Sequence, residues 1–308
     1  MKSSLFCILG PTAVGKTEIA IQLAQHFDAE IVSLDSRQLY RQMDIGTVKP
    51  TLAQRQAVCH HLIDCVNIDQ AFSVADYQRL ADAAISEIRG RKKRVLVVGG
   101  AGLYFRALID GLFEGPGADC LIRAKLRNEV EKHGLVALHE RLRRCDPEAA
   151  ARIHPNNLVR VIRALEVYEL TGKPISTLQR QWEDSEPRYP FQAVGLNMPR
   201  EQLYRRIEMR VDRMIAAGLI DEVTNILNDG YPRDCVAMQS FGYKEIIEYL
   251  DGKCTLDEAI TQLKQNTRRF AKRQLTWFRG DPRIEWIDLS DFSSVDQVVD
   301  NLRGRIIV

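Results

Sequence analysis

Residues 10–17 read Gly10-Pro11-Thr12-Ala13-Val14-Gly15-Lys16-Thr17 and fit the pattern G-x-x-x-x-G-K-[ST] at every constrained position. These residue types suit a phosphate-bearing ligand. Glycines let the backbone curl until successive N–H groups face one anion, and the start of a following helix adds its positive end. Lys16 brings a full positive charge, and the Thr17 hydroxyl is a hard oxygen donor able to hold Mg2+. A second candidate is Asp35, which ends the apolar run Ile31-Val32-Ser33-Leu34. In a doubly wound sheet the carboxyl ends of the strands line the ligand crevice, so Asp35 is expected beside the phosphates, free to hold Mg2+ or accept a proton. The plainer alternative is an aspartate that caps the turn before Ser36. Loops that bind nucleoside triphosphates pair with an aspartate at the end of another strand. Here the run Val95–Val98 ends in Gly99-Gly100-Ala101-Gly102, with no carboxylate.

A third feature is electrostatic. Between Gln262 and Gly280 lie Lys264, Arg268, Arg269, Lys272, Arg273 and Arg279, with no acidic residue, although the whole chain carries a formal charge of only +2. Lys264, Arg268 and Lys272 recur every four residues, Arg269 and Arg273 form the next stripe, and Phe270, Trp277 and Phe278 are interleaved. Such a helix would neutralise the phosphates of a polyanion. The alternative is a solvated face with its aromatic residues in a core. Arg160 and Arg163 form a smaller cluster one helical turn apart, and Arg89–Arg94 read as a solvated loop before a strand.

The elements that must position these residues follow from periodicity. Strands are expected at 5–9, 30–34, 95–98 and 191–198, with helices at 17–27 and 75–88 between the first of them. From about residue 115 to 190 the pattern is helical only: 124–132, 135–144, 147–152 and 158–170, the last closed by Thr171-Gly172-Lys173-Pro174. Helices at 201–217, 220–228, 242–250 and 255–279 follow. The expectation is an α/β, P-loop NTPase-like, doubly wound parallel sheet with an inserted all-helical subdomain and a helical C-terminal part. The core would comprise 1–114 and 190–308, and the insertion 115–189.

The composition agrees: 308 residues, 45% hydrophobic and 27% charged, are ordinary for a globular protein of about two domains. Seven scattered cysteines without a Cys-x-x-Cys pair spell neither a disulfide framework nor a zinc site. No apolar run reaches the ~20 residues of a membrane span, and the first apolar stretch runs straight into the phosphate loop. A cytoplasmic protein without a membrane partner is expected, and no heptad seam suggests more than a monomer.

With these residues in view, the chain resembles the bacterial tRNA dimethylallyltransferases. The likeness is carried by Gly10–Thr17 (GPTAVGKT), Asp35–Pro50 (DSRQLYRQMDIGTVKP), His60–Asp64 (HHLID), Val98–Tyr104 (VGGAGLY), Ile153–Asn156 (IHPN), Arg160–Thr171 (RVIRALEVYELT), Gly242–Glu245 (GYKE) and Thr276–Arg279 (TWFR). It implies transfer of a dimethylallyl group from dimethylallyl diphosphate to the exocyclic nitrogen of adenosine 37, with Mg2+ and a tRNA anticodon stem-loop as partners. The implied roles are Asp35 as general base, and Lys16 and Thr17 on the diphosphate within the loop. Ser36, Arg37, Gln38, Arg123 and the run Val159, Arg160, Val161, Ile162, Arg163 would be tRNA contacts. Arg210, within RIEMRVDRM, is a further diphosphate candidate. The basic helix with Lys264, Arg268 and Lys272 would add phosphate contacts. Ala101 stands where the family usually has Thr, near the expected tRNA site, and Asn157 where Asp is usual. No Cys/His finger follows Arg279, so RNA contacts are expected from the core and the insertion.

Two rival readings suit the phosphate loop. A small-molecule or nucleotide kinase would use the same α/β core, but the basic helix and the missing second carboxylate count against it. A non-catalytic RNA-binding NTPase-like module would leave Asp35 idle.

Overall fold

The computed structural model describes residues 4–112, 115–179 and 186–305. The chain begins with β1 (Leu5–Leu9), α1 (Lys16–Phe27) and β2 (Ala29–Leu34), followed by α2 (Leu52–Ala57), β3 (His60–His61), α3 (Val74–Gly90), β4 (Arg94–Gly99) and α4 (Gly102–Ile109). Four helices follow: α5 (Cys120–Cys145), α6 (Pro147–Arg152), α7 (Leu158–Thr171) and α8 (Ile175–Gln179). The remainder is β5 (Phe191–Asn197), α9 (Arg200–Ala216), α10 (Leu219–Asn228), α11 (Tyr243–Leu250), α12 (Leu256–Arg279), β6 (Ile284–Asp288) and α13 (Val295–Arg305).

The strands form one six-stranded sheet in the order β3-β2-β4-β1-β5-β6, with every pairing parallel. Its apolar runs alternate between two cores. Leu5, Cys7 and Leu9 of β1 join Val32, Leu34, Val95 and Val97 under α3, α4, α10 and α11. Phe6 and Ile8 join Ile31, Leu96, Val194 and Leu196 against α1, α9 and α13. Burial on both faces is why these strands read as continuous apolar runs. From β1 the chain moves out to β2 and β3 on one side, returns with β4 to the place between β2 and β1, then crosses to β5 and β6 on the other side. The switch point therefore lies at the carboxyl end of β1, where the phosphate loop begins.

The chain divides into two compact units, Met1–Ile109 with Arg188–Val308, and Asp110–Pro187. The expected cuts were 114/115 and 189/190, of which residue 114 lies outside the described residues. The second unit packs Leu126, Leu138, Leu142, Val161, Ile162, Leu165 and Val167 into its own core. Within α5, Gly134 leaves helical geometry at φ 80, so the expected helices 124–132 and 135–144 meet at a kink there. The sequence reading omits β3, which has only two residues, and β6, an edge strand in which only Ile284 and Ile287 are buried. It also omits α2, α4, α8 and α13. No described helix is long and apolar enough to cross a membrane.

Candidate active site

β1 delivers the chain into the phosphate loop at Gly10, whose φ of 147 and close approach to β5 require glycine. A Cβ there would lie 2.7 Å from the Leu196 carbonyl oxygen. Ala13 at φ 65 and Gly15 at φ 107 then hold the left-handed turns that curl the loop toward the start of α1. The Lys16 ammonium donates to the carbonyls of Gly10 (2.9 Å) and Pro11 (2.7 Å). Burial pushes its pKa down to about 7, Arg210 adds repulsion, and Asp35 opposes both. The Thr17 hydroxyl has no hydrogen-bond partner among the described residues. It is a hard oxygen donor at the start of α1, a chemistry that fits magnesium.

Asp35 follows the last residue of β2. Its Oδ1 accepts the backbone N–H groups of Arg37 (2.8 Å) and Gln38 (3.3 Å). The turn-capping alternative and the crevice placement are therefore both realised: one oxygen holds the turn, while the residue lines a cavity of about 470 Å³ together with Thr12, Ser36, Arg37 and Arg210. Arg210, on α9, has no hydrogen-bond or ion-pair partner among the described residues. Burial lowers its pKa against the opposing pull of Asp35. Arg37 donates to the Val236 carbonyl (3.1 Å), and Gln38 is turned inward onto Thr47 and Val48.

The rest of the cavity is largely apolar. Met214, Leu263, Phe241, Phe270, Trp277 and Ala101 line it. Gly102 opens space for Trp277, because a Cβ there would fall 2.4 Å from the indole. Ala101 contributes a methyl where a threonine would present a hydroxyl. Tyr104 also lines the cavity and stacks on Tyr77 at 4.1 Å and 17°.

The long motifs between residues 35 and 64 act as scaffolding. Lys49, only 8% exposed, donates to the Tyr40 carbonyl (2.6 Å) and the Asp44 carboxylate (2.7 Å), and pairs with Asp64. Glu222 accepts the N–H groups of Asp44 (2.9 Å), Ile45 (2.7 Å) and Gly46 (3.0 Å) as well as the Tyr243 hydroxyl (2.6 Å). Gly46 lies under the Tyr243 ring, where a Cβ would come within 2.4 Å. Sequence reasoning missed Glu222, and it missed Gln274, whose amide bonds to Thr12 and Gly100. The only local signal for Gln274 was a carboxamide on the buried side of an amphipathic helix.

The residues expected to meet RNA divide sharply. On α12, Lys264 pairs with Asp212 (2.6 Å) and Arg268 with Glu208 (2.5 Å), both acids on α9. Lys272, Arg269, Arg273 and Arg279 are exposed. In the helical unit, Val159 is 79% exposed and Arg160 is exposed as well. The side chains of Val161 and Ile162 are buried in the core, because the apolar face of α7 is the one that packs. Arg123 and Arg163 are held by Glu166, which is 0% exposed. Arg123 makes a two-pronged bond (2.7 and 3.0 Å), and Arg163 donates to the same carboxylate (2.7 Å) and to the Pro116 carbonyl (2.7 Å). Burial alone would raise the pKa of Glu166, but these arginines and the Asp119 N–H bring it down to about 2. The Asn157 side chain accepts the Arg160 N–H and caps α7, a role that an aspartate would fill equally.

At the other end of β2, donor atoms of Glu30, Cys59 and His61 lie within 4.8 Å of one another. Arg91 already engages both oxygens of Glu30 (3.1 and 2.7 Å), so a guanidinium neutralises the carboxylate there.

Comparison with known proteins adds three findings. The family profile described as IPP transferase matches residues 38–281. The chain is 49% identical over 298 residues to a tRNA dimethylallyltransferase of Geobacter sulfurreducens, covering 96% of each. It is 51% identical over 291 residues to one of Symbiobacterium thermophilum, covering 94% of this chain and 91% of that one. Among solved structures, the full-length tRNA isopentenylpyrophosphate transferase of Bacillus halodurans superposes with a TM-score of 0.73 at 45% identity, covering 99% and 97% of the two chains. A eukaryotic dimethylallyltransferase acting on tRNA superposes with a TM-score of 0.79 at 26% identity, covering 99% of this chain and 81% of that one.

Proposed function

This chain belongs to the IPP transferase family, and from that premise we propose how its cavity works. The protein is an enzyme that transfers a dimethylallyl group to tRNA. In the proposed reaction the donor is dimethylallyl diphosphate and the acceptor is the N6 amine of adenosine 37 beside the anticodon. The observation that carries this reading is that Asp35 and Arg210 line one largely apolar cavity and both act electrostatically on the Lys16 ammonium beside it.

An exocyclic amine is a weak nucleophile, so the reaction depends on the leaving group. The N6–C1 bond forms as the allylic C1–O bond breaks and the electron pair leaves with diphosphate. The loop N–H groups, Lys16 and Arg210 stabilise the charge that develops there. Thr17 is the residue to hold magnesium, which when bound with the diphosphate would supply further neutralisation. The amine becomes acidic only as its bond to carbon forms, and the second oxygen of Asp35 then takes the proton. To reach Asp35 the adenine leaves its stack in the anticodon loop. Phe270, Trp277 and their apolar neighbours keep water from an allylic carbon that would otherwise be hydrolysed.

For the RNA we assign Ser36 and Arg37 to the acceptor nucleotide, and exposed Val159, Arg160 and Lys272 to the stem-loop. Arg123 and Arg163 would shape the surface around Arg160 through Glu166. A cytoplasmic monomer completes the proposal. The test is transfer of radiolabel from dimethylallyl diphosphate into unmodified tRNA carrying adenosine 37, with Mg2+ and without ATP. Label in the RNA is expected. Its absence, with ATP consumed on a small-molecule acceptor, would replace the reading with a kinase.

A further inference from the structure

We propose that Gln274 is a positioning residue for Lys16, acting through the peptide plane between Pro11 and Thr12; this rests on the reading of the loop as the diphosphate cradle. Gln274 is 7% exposed, on α12, and separated from Thr12 by 262 positions in the chain. Its Oε1 accepts the Thr12 N–H at 2.8 Å, and its Nε2 donates to the Gly100 carbonyl at 2.9 Å. The Thr12 N–H belongs to the same planar unit as the Pro11 carbonyl. In a trans peptide the two groups point in opposite directions, and no peptide in the described chain is cis. That Pro11 carbonyl is the 2.7 Å acceptor of the Lys16 ammonium. Gln274 and Lys16 therefore grip one peptide plane from its two sides, and the tilt imposed by the amide sets where the ammonium rests.

The second bond explains the glycine opposite. A Cβ at Gly100 would lie 2.2 Å from the Gln274 nitrogen. The Gly100 N–H in turn donates to the carbonyl of Leu34 (3.1 Å), the residue before Asp35. One carboxamide thus registers the ends of β1, β4 and β2, which carry the cationic and the basic halves of the site. A carboxamide offers a donor and an acceptor on one stem of this length without depending on its protonation state. A methionine of similar size leaves the partly buried Thr12 N–H and the buried Gly100 carbonyl without this partner.

The test is a double-mutant cycle on kcat/KM, with the Tm of each variant measured alongside. In Gln274→Met, kcat/KM for dimethylallyl diphosphate is expected to fall roughly tenfold or more, mainly through KM, while KM for tRNA stays at the parental value. In Lys16→Ala the loss is larger. The double variant is expected to be no slower than Lys16→Ala alone, because the effect of Gln274 passes through that lysine. Losses that multiply, or parental kinetics in Gln274→Met, overturn the inference. A parental rate in Lys16→Ala instead removes the diphosphate reading, and the inference with it. If Gln274→Met melts below the assay temperature, Gln274→Asn enters the same cycle, since its shorter stem cannot span both partners.

Discussion

Lys49 and Asp64 are joined in an ion pair that ties the segment after β2 to the segment after β3. The lysine also holds Asp44, and Arg55 holds the other oxygen of Asp64 at 2.6 Å. The cluster fixes the chain between Asp35 and Pro50, which supplies Gly46 and Thr47 to the cavity. Lys49→Met is expected to destabilise the protein by about 1–3 kcal/mol, because it leaves the Tyr40 carbonyl without its donor and Asp44 without its ion pair, while Arg55 still holds Asp64. Urea unfolding at neutral pH measures this; a loss below about 1 kcal/mol would reduce the cluster to a surface pair.

Asp35→Asn should separate chemistry from architecture. The asparagine carbonyl can still accept the Arg37 and Gln38 N–H groups, so the turn survives. The proton acceptor is lost, and kcat should fall by roughly 100- to 10,000-fold with tRNA affinity near the parental value. Single-turnover transfer and filter binding decide it, and an unchanged rate would take Asp35 out of the chemistry.

Burial and the neighbouring Arg210 hold the Lys16 pKa down at about 7. An incoming diphosphate favours the ammonium form, so binding above about pH 7 must take up a proton. Affinity for the fully ionised diphosphate should therefore weaken as pH rises from about 7.5 to 9. Calorimetry in buffers of different ionisation enthalpy would reveal the proton uptake, and a flat profile would show a lysine already charged.

Lys272 is exposed, whereas Lys264 and Arg268 face acids on α9. Lys272→Glu should weaken tRNA binding and lower the slope of log affinity against log salt by about one. Lys264→Gln should leave that slope nearly unchanged. Equal effects would mean that the pairs with α9 open on the RNA.

Glu166 holds Arg123 and Arg163 with a folded-state pKa of about 2, below the ordinary 4.5. A depressed carboxylate contributes stability above its unfolded pKa and loses it as pH falls toward the folded one. Melting of the helical unit should therefore drop between about pH 4.5 and 2, and Glu166→Gln should flatten that limb of the curve. A parallel acid limb in the variant would locate the titration elsewhere.

The phosphate loop and Asp35 are legible in the chain because their signals are local. Gly10, Gly15 and Lys16 sit within one turn, and Asp35 ends an apolar strand. The parallel sheet is legible too, since burial on both faces leaves runs such as Val95–Val98. Glu222 and Gln274 are not, because their partners lie on other elements and no spacing rule connects them. The same cause explains the mixed outcome on α12. Periodicity aligns Lys264, Arg268 and Lys272, but Asp212 and Glu208 approach two of them from another helix. On α7 the expected RNA-facing run ignored helical geometry, which turns Val161 and Ile162 inward while Val159 and Arg160 face out.

The chain leaves the sheet-bearing unit after Ile109 and re-enters it at Arg188, whose N–H donates to the Ile109 carbonyl at 2.7 Å. Arg188 also clasps Asp82 (2.7 Å) and the Leu108 carbonyl (3.1 Å). The point of departure and the point of return are thus stapled together on the host. Whatever runs between them costs the host little more than closure of a loop, and that cost grows only slowly with length. Such a staple is what an exchangeable cassette needs: a change in the length of the segment between Ile109 and Arg188 is expected to leave the strand register, and with it the loop after β1, where it was.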